Sequence, residues 1–289
     1  MVYVLGVAAA VLLAVGFVLQ QHAAEQEPPS LRLSPHLLLD LLRRPLWLTG
    51  IASMVGGQVL GAVAFSFGAV ALVEPLLAAN LLFALPMAAV YHRRRLRGAD
   101  FLGALVLVAG LAIFVVASQP DGGSPRAPGL AAWVVVFAAL AVVVALLLVV
   151  QRGKGAVATA GLLATGAGLL FGMQDTLTQA ADGLIARGLL ALLVSWVPYV
   201  VLVIAVCGLL LSQSAFGVAP LSASLPAITV TEPLLGITLG IALYGEHVRT
   251  SPLALVGEVL GLAAVVGGII ILGRSPLVTG ELHRIDETG

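Results

Sequence analysis

Cysteine and lysine each occur once in these 289 residues, and only 10% of the chain is charged. With Cys207 alone, an intramolecular disulfide and a cysteine metal cluster are both excluded. Soluble domains carry about 25% charged residues, so this chain lacks the polar surface that water requires of a fold its size. The 14 basic and 14 acidic residues cancel, and no arginine-rich arm exists to follow a phosphate backbone. Nucleic acid is therefore not an expected partner. Also missing are a GxxxxGK phosphate loop, an HExxH pair and any zinc spacing of cysteine and histidine. ATP-driven pumping by this chain is unsupported, no cofactor is expected, and the chain does not read as an enzyme.

What the chain has in excess is apolar sequence, at 60% of its residues. Nine stretches run from Tyr3 to Leu19, Leu46 to Phe65, Gly68 to Tyr91, Phe101 to Ser118, Leu130 to Val150, Ala156 to Met173, Leu189 to Leu211, Phe216 to Tyr244 and Leu253 to Leu272. Crossing about 30 Å of hydrocarbon takes about 20 helical residues, and most stretches are near that length. The sequence predicts an all-α polytopic membrane bundle of about nine transmembrane helices. The eighth stretch is long for one crossing and holds Pro220, Pro226 and Pro233, so one broken helix and two short ones both fit. A secretory signal in place of the first span would need a basic start, and nothing basic precedes Arg32.

Threading nine spans with the N-terminus outside puts 11 of the 14 basic residues inside, among them Arg43, Arg44, Arg93, Arg94, Arg95 and Arg97. Only Arg126, Arg187 and Arg249 then lie outside, the bias of the positive-inside rule. Ser34 and Pro35 suit an N-cap and first helical residue, so residues 31–44 are expected to form a short helix on the inner membrane surface. Asp121 to Gly129 is rich in turn residues and divides a first half (1–118) from a second (130–274), with a polar cytoplasmic tail at 275–289. With arginine outnumbering lysine 13 to 1 in an Ala-, Leu-, Val- and Gly-rich chain, the expected site is a bacterial inner membrane, with the C-terminus cytoplasmic.

Laid over itself at an offset of 158 residues, the sequence matches without gaps from residues 62–114 onto 220–272. Glu74-Pro75-Leu76-Leu77 falls on Glu232-Pro233-Leu234-Leu235, Asp100 on Glu258, and Gly110 on Gly268. Five spans separate the two copies, so they enter the membrane from opposite sides, as in inverted-repeat transporters. The pieces from Pro45 to Leu82 and from Gln213 to Val248 resemble the drug/metabolite transporter superfamily. The ending Tyr244-Gly245-Glu246-His247-Val248 is similar to the glycine-glutamate step of EamA-type members. The run through Ala64, Phe65, Leu72, Val73, Pro75 and Leu76 is closer to the NIPA-like magnesium transporter branch. The resemblance implies an inverted-repeat helical bundle around a central solute cavity. The chain departs from ten-span members where only residues 31–44 replace a second crossing, and from EamA-type members where Arg94 and Arg95 replace a glutamate.

Charged side chains inside hydrocarbon cost about 2.5–3.5 kcal/mol each on insertion scales. Glu232 is expected near mid-depth and Glu74 about 9 Å in from the outer end of its span. Pro75 and Pro233 cannot donate to the carbonyls of Ala71 and Thr229, leaving acceptors one turn before each carboxylate. A carboxylate beside free carbonyls can hold a cation or a proton, or a protonated glutamate can simply bond neighbouring helices. The candidate substrate- or ion-binding residues are Glu74, Glu232, Gln58 and Asn80, with the two glutamates expected as a pseudo-symmetric pair. Gln174, Asp175, Thr178 and Gln179 read as a solvated cluster at an outer helix end, and Glu258 as a shallow acid. Gly57 and Gly61, Gly168 and Gly172, Gly236 and Gly240, and Gly257 and Gly261 are spaced for close helix packing.

The first functional reading is a secondary transporter of a metabolite, amino acid or drug-like solute, proton- or ion-coupled or facilitative. The second is a NIPA-like magnesium or divalent-cation transporter. From another class comes a membrane-embedded lipid-modifying enzyme. The expected partners are the solute or ion and membrane lipid, with a homodimer left open.

Overall fold

The computed structural model describes residues 1–67, 70–91, 97–118, 128–185, 188–245 and 251–273, with backbone alone at 65, 70, 71, 74, 182, 183, 185, 189 and 273. The loop at 92–96, the turn-rich segment at 119–127 and the tail after Ser275 lie outside the described residues. The helices are α1 (Val2–Glu25), α2 (Pro35–Leu41), α3 (Pro45–Phe65), α4 (Val70–Ala78), α5 (Asn80–Tyr91), α6 (Gly98–Ser118), α7 (Leu130–Val150), α8 (Ala156–Ile185), α9 (Leu189–Val194), α10 (Val197–Phe216), α11 (Leu221–Tyr244) and α12 (Pro252–Gly273). Among the described residues eight helices are long and apolar enough to cross a membrane in one piece. The third expected crossing, Gly68 to Tyr91, is made of two pieces, α4 and α5, with Ala79 in a turn between them. The chain is a multi-pass helical membrane protein.

Its core shows which helices hold the bundle together. α1 packs along α3, α8 along both α10 and α11, and α6 along α12. One apolar cluster joins them, from Leu13 and Phe17 on α1 to Leu107 on α6, Leu163 on α8, Phe216 on α10, Leu225 on α11 and Val265 on α12. α7 is apolar all round yet buries only Trp133 and Leu140, which is the surface of a span facing lipid. On the expected inner side, the Ser34 hydroxyl accepts from the His36 backbone N–H at 3.3 Å and Pro35 opens α2. α2 covers only the middle of the expected 31–44 helix, and it packs Leu37 and Leu41 against Ala23 and Trp47.

The α6–α12 contact has the register of the repeat. A Cβ on Gly110 would stand 2.7 Å from the Gly261 carbonyl oxygen, and one on Gly268 2.7 Å from that of Gly103. The 158-residue offset carries Gly103 onto Gly261 and Gly110 onto Gly268, so the two contacts exchange places. Glycine is required because backbone meets backbone there.

Several expected boundaries move. The sixth span does not stop at Met173: α8 runs on to Ile185, because the polar run after Met173 contains no helix breaker. The Thr176 and Thr178 hydroxyls turn back to donate to the carbonyls of Gly172 and Gln174, at 2.9 Å each. The seventh span begins at Val197, where Ser195 is extended and a proline stands in the first turn, and it ends at Phe216, later than expected. The long eighth stretch is a single helix, α11, through both Pro226 and Pro233. Gly245 closes it at φ 64°, donating to the Ile241 carbonyl at 3.1 Å. Among the described residues, nothing lies within 4 Å of a Cβ built on Gly236, so the expected close packing is not seen at that position.

Candidate functional site

At 1.5 Å per residue, Glu232 lies about 17 Å from Leu221 and about 18 Å from Tyr244, at the middle of α11. Opposite it, α8 carries Gly168, Gly172 and Asp175 at helical positions i, i+4 and i+7, one continuous stripe. The two glycines bring the backbones together: a Cβ on Gly168 would stand 3.0 Å from the Ile228 carbonyl oxygen, and one on Gly172 would strike that of Glu232. One turn further along the stripe, the Asp175 and Glu232 side chains hydrogen-bond to each other. Asp175 is exposed and Glu232 half-buried. Nearby, the Tyr244 hydroxyl donates to the Thr176 carbonyl at 3.3 Å and ties α11 to α8 just beyond the pair.

Chemically the pair is unusual in its surroundings. Two carboxyl groups meet at the contact between α8 and α11. None of the α-helices contains an arginine or lysine. Acids at that depth are costly in lipid and turn toward protein, water or a bound ion. Among the described residues no three or more His, Cys, Asp or Glu side chains converge on a metal position. Mg²⁺ does not demand that, since it keeps several waters and is commonly held by one or two carboxylates.

Asp175 was not among the expected site residues. Ending the span at Met173 put it at the interface, and the stripe that begins at Gly168 was the signal that would have brought it inward. Glu74 sits in α4, with its side chain outside the described residues, so its pairing with Glu232 is not described. Asn80 is 8% exposed at the start of α5, beside the α4–α5 break, and its Oδ1 has no hydrogen-bond partner among the described residues. That is a buried acceptor at a helix interruption, the kind of group that lines a solute path. Gln58 is exposed on α3. Asp100 is fully buried at the start of α6; its Oδ2 accepts from the Arg97 N–H at 3.0 Å and its Oδ1 is unpaired among the described residues. Its repeat mate Glu258 also carries a buried unpaired oxygen, Oε1.

A second polar cluster escaped the sequence. Trp47 Nε1 donates to Gln213 Oε1 at 3.0 Å, Gln213 Nε2 to Gln20 Oε1 at 2.6 Å, and Gln20 Nε2 to the Met54 sulfur. This buried chain joins α3, α10 and α1. Beside it, the Arg32 guanidinium donates to the Gly217 carbonyl at 2.9 Å, and its burial lowers its pKa from the ordinary value. The Leu33 N–H donates to the Ser214 hydroxyl at 3.1 Å, and Arg44 pairs with Glu27 at 2.9 Å. The Arg32 and Leu33 contacts strap the segment after α1 to the end of α10, and the Arg44–Glu27 pair ties it to the start of α3.

Known proteins place this architecture in context. The profile of the family described as magnesium transporter NIPA matches residues 2–276. An uncharacterized protein of Corynebacterium glutamicum is 30% identical over 285 residues, which cover 96% of each chain. A protein of Candida albicans named a probable magnesium transporter is 28% identical over 82 residues, covering 28% of this chain and 22% of its own. No solved structure matches the chain.

Proposed function

Since the chain belongs to the magnesium transporter NIPA family, we propose that it carries Mg²⁺ or a similar divalent cation across the membrane, with Asp175 and Glu232 as its mid-membrane stop. The observation that carries this reading is the pair itself: two carboxyl groups in contact at the middle of a span, in helices without arginine or lysine. Such acids mark ion pathways because lipid penalises them without a partner. The order of the two transport readings is thereby reversed, with the divalent cation ahead of the organic solute. The α4–α5 break, with Asn80 beside it, supplies further oxygen acceptors, and Glu74 contributes from the first half. Gln58, exposed on α3, has a minor part in the path. The halves, 1–118 and 130–274, move against each other about this centre, with the N-terminus outside and the C-terminus inside.

The test is uptake into proteoliposomes holding a Mg²⁺-sensitive dye, compared with uptake of labelled amino acids. Saturable Mg²⁺ entry at least tenfold above empty vesicles is expected, with no amino-acid accumulation. Amino-acid uptake without Mg²⁺ flux would return the organic-solute reading to first place. Lipid turnover without any flux would favour the enzyme.

A further inference from the structure

We propose that the break between α4 and α5 binds one monovalent alkali cation, apart from the divalent stop at Asp175 and Glu232. The site goes beyond the transport reading above and does not require it. The last carbonyls of a helix have no amide one turn further on to accept from. At the end of α4 the Ala79 N–H donates to the Pro75 carbonyl at 3.1 Å, and the Leu82 N–H turns back to the Ala79 carbonyl at 2.9 Å. The carbonyls of Leu76, Leu77 and Ala78 have no donor within α4, and among the described residues no backbone N–H beyond it is bonded to them. Asn80 opens α5, and helical side chains tilt toward the N-terminus, so its amide reaches back over that last turn. Its buried Oδ1, without a partner among the described residues, adds a fourth acceptor.

The break lies inside the bundle and near mid-membrane. Ala78 is about 12 Å from Val70 along α4, and Asn80 about 17 Å from Tyr91 along α5. α1 and α6 pack against both pieces, and α5 also meets α11, which carries Glu232. A Cβ on Gly6 would stand 2.8 Å from Leu76 Cδ1, and one on Gly61 3.2 Å from Leu77 Cδ2. α1 and α3 thereby hold the last turn of α4 in place, and acceptors fixed in advance can replace the water shell of an ion.

Two features choose the ligand. The first amides of α5 face the same turn and would favour an anion, but the buried atom without a partner is an acceptor, and the carbonyl end of α4 is the negative pole of its dipole. The ligand is therefore a cation. Carbonyl and amide oxygens are neutral, and the crossing from Val70 to Tyr91 holds one acid, Glu74. Mg²⁺ dehydrates reluctantly and is held through carboxylates with its waters, whereas the broken helices of transporters coordinate Na⁺ through unwound carbonyls. The charge count gives these acceptors an ion of their own.

The experiment is equilibrium binding of radiolabelled Na⁺ to the full-length protein in detergent, with choline replacing Na⁺ at constant ionic strength. Saturable binding of about one Na⁺ per chain is expected, and an equal concentration of Mg²⁺ should leave most of it in place. Asn80→Leu keeps the shape and removes the oxygen, and should weaken Na⁺ binding about tenfold, the worth of one acceptor to a charged partner. Asn80→Asp keeps the oxygen, should bind Na⁺ at least as tightly as the unmodified protein, and serves if the leucine variant fails to fold. Complete displacement by Mg²⁺ overturns the inference, because the break then belongs to the divalent path. So do absent Na⁺ binding, binding of labelled chloride in its place, and unchanged Na⁺ affinity in Asn80→Leu. Mg²⁺ flux in vesicles without Na⁺ binding removes only this site, and Na⁺ binding without Mg²⁺ flux removes only the transport reading.

Discussion

Helices α8 and α11 hold two carboxyl groups in contact, whereas the α4–α5 crossing, the counterpart of α11 under the repeat, carries Glu74 and packs against α1. α1 has no acid before Glu25, in its last turn, and that side chain accepts from Gln21 Nε2 at 2.8 Å. The backbone frame is nevertheless shared, because the glycine contacts of α6 and α12 exchange under the same offset. A duplicated frame thus carries unequal chemistry. Close backbone packing constrains the glycines of both copies, while a single divalent site needs its acids only once.

The frame is where substitution should cost most. At Gly110, Gly261 and Gly268 an added Cβ meets opposing backbone atoms at 2.7 Å, which no side-chain adjustment relieves. At Gly103 the nearest atoms belong to the Ile271 and Leu272 side chains, at 2.9 and 3.1 Å, and at Gly267 the space is open. Alanine at each of the first three should destabilise by about 3 kcal/mol and lower Tm in detergent by about 5–10 °C. Gly103→Ala should cost less, and Gly267→Ala should be neutral or raise Tm slightly. Equal Tm for Gly267→Ala and Gly268→Ala would break the symmetric-frame argument.

The second effect concerns the chemistry that the halves do not share. Glutamine keeps the size and hydrogen bonding of glutamate and removes its charge. Glu232→Gln should fold normally and reduce initial Mg²⁺ uptake at least tenfold, because the pair loses one of its two carboxylates. Glu74→Gln should reduce uptake about threefold, since no acid on the span of α1 works with it. Equal losses in the two variants would mean that the halves contribute their glutamates to one step, as the sequence repeat alone suggested.

Legibility in the sequence follows the same division. Length and hydropathy give the crossings, local chemistry gives the Ser34 cap and the Pro35 start of α2, and the family resemblance implied the Gly245 stop of α11. The polar run from Gln174 to Gln179 misled: hydropathy ends a span at polar residues, but a helix needs a breaker to end, and α8 has none before Ile185. Asp175 was therefore set at the surface, away from Glu232. The Trp47–Gln213–Gln20 chain joins residues up to 193 positions apart, and nothing local in α1, α3 or α10 announces it. The α4–α5 break falls at Ala79, between Pro75 and Pro86, where two missing amide donors weaken the same stretch of helix.

The smallest effect bears on how the two halves are fastened. Leu33 is 37% exposed and holds φ at 59°, a left-handed conformation that costs a residue with a Cβ about 1–2 kcal/mol. Its N–H reaches the Ser214 hydroxyl only in that conformation of the strap, so the hydrogen bond offsets the strain. Glycine adopts the same φ without strain, at the cost of a more flexible unfolded chain. The net expectation for Leu33→Gly is a gain of about 0.5 kcal/mol, seen as a Tm increase of about 1–2 °C with Mg²⁺ uptake unchanged. Ser214→Ala removes the acceptor, leaves the strain in place, and should lower Tm by a similar amount. If Leu33→Gly instead lowers Tm, the leucine side chain and not the backbone bond is what fastens the segment after α1 to α10.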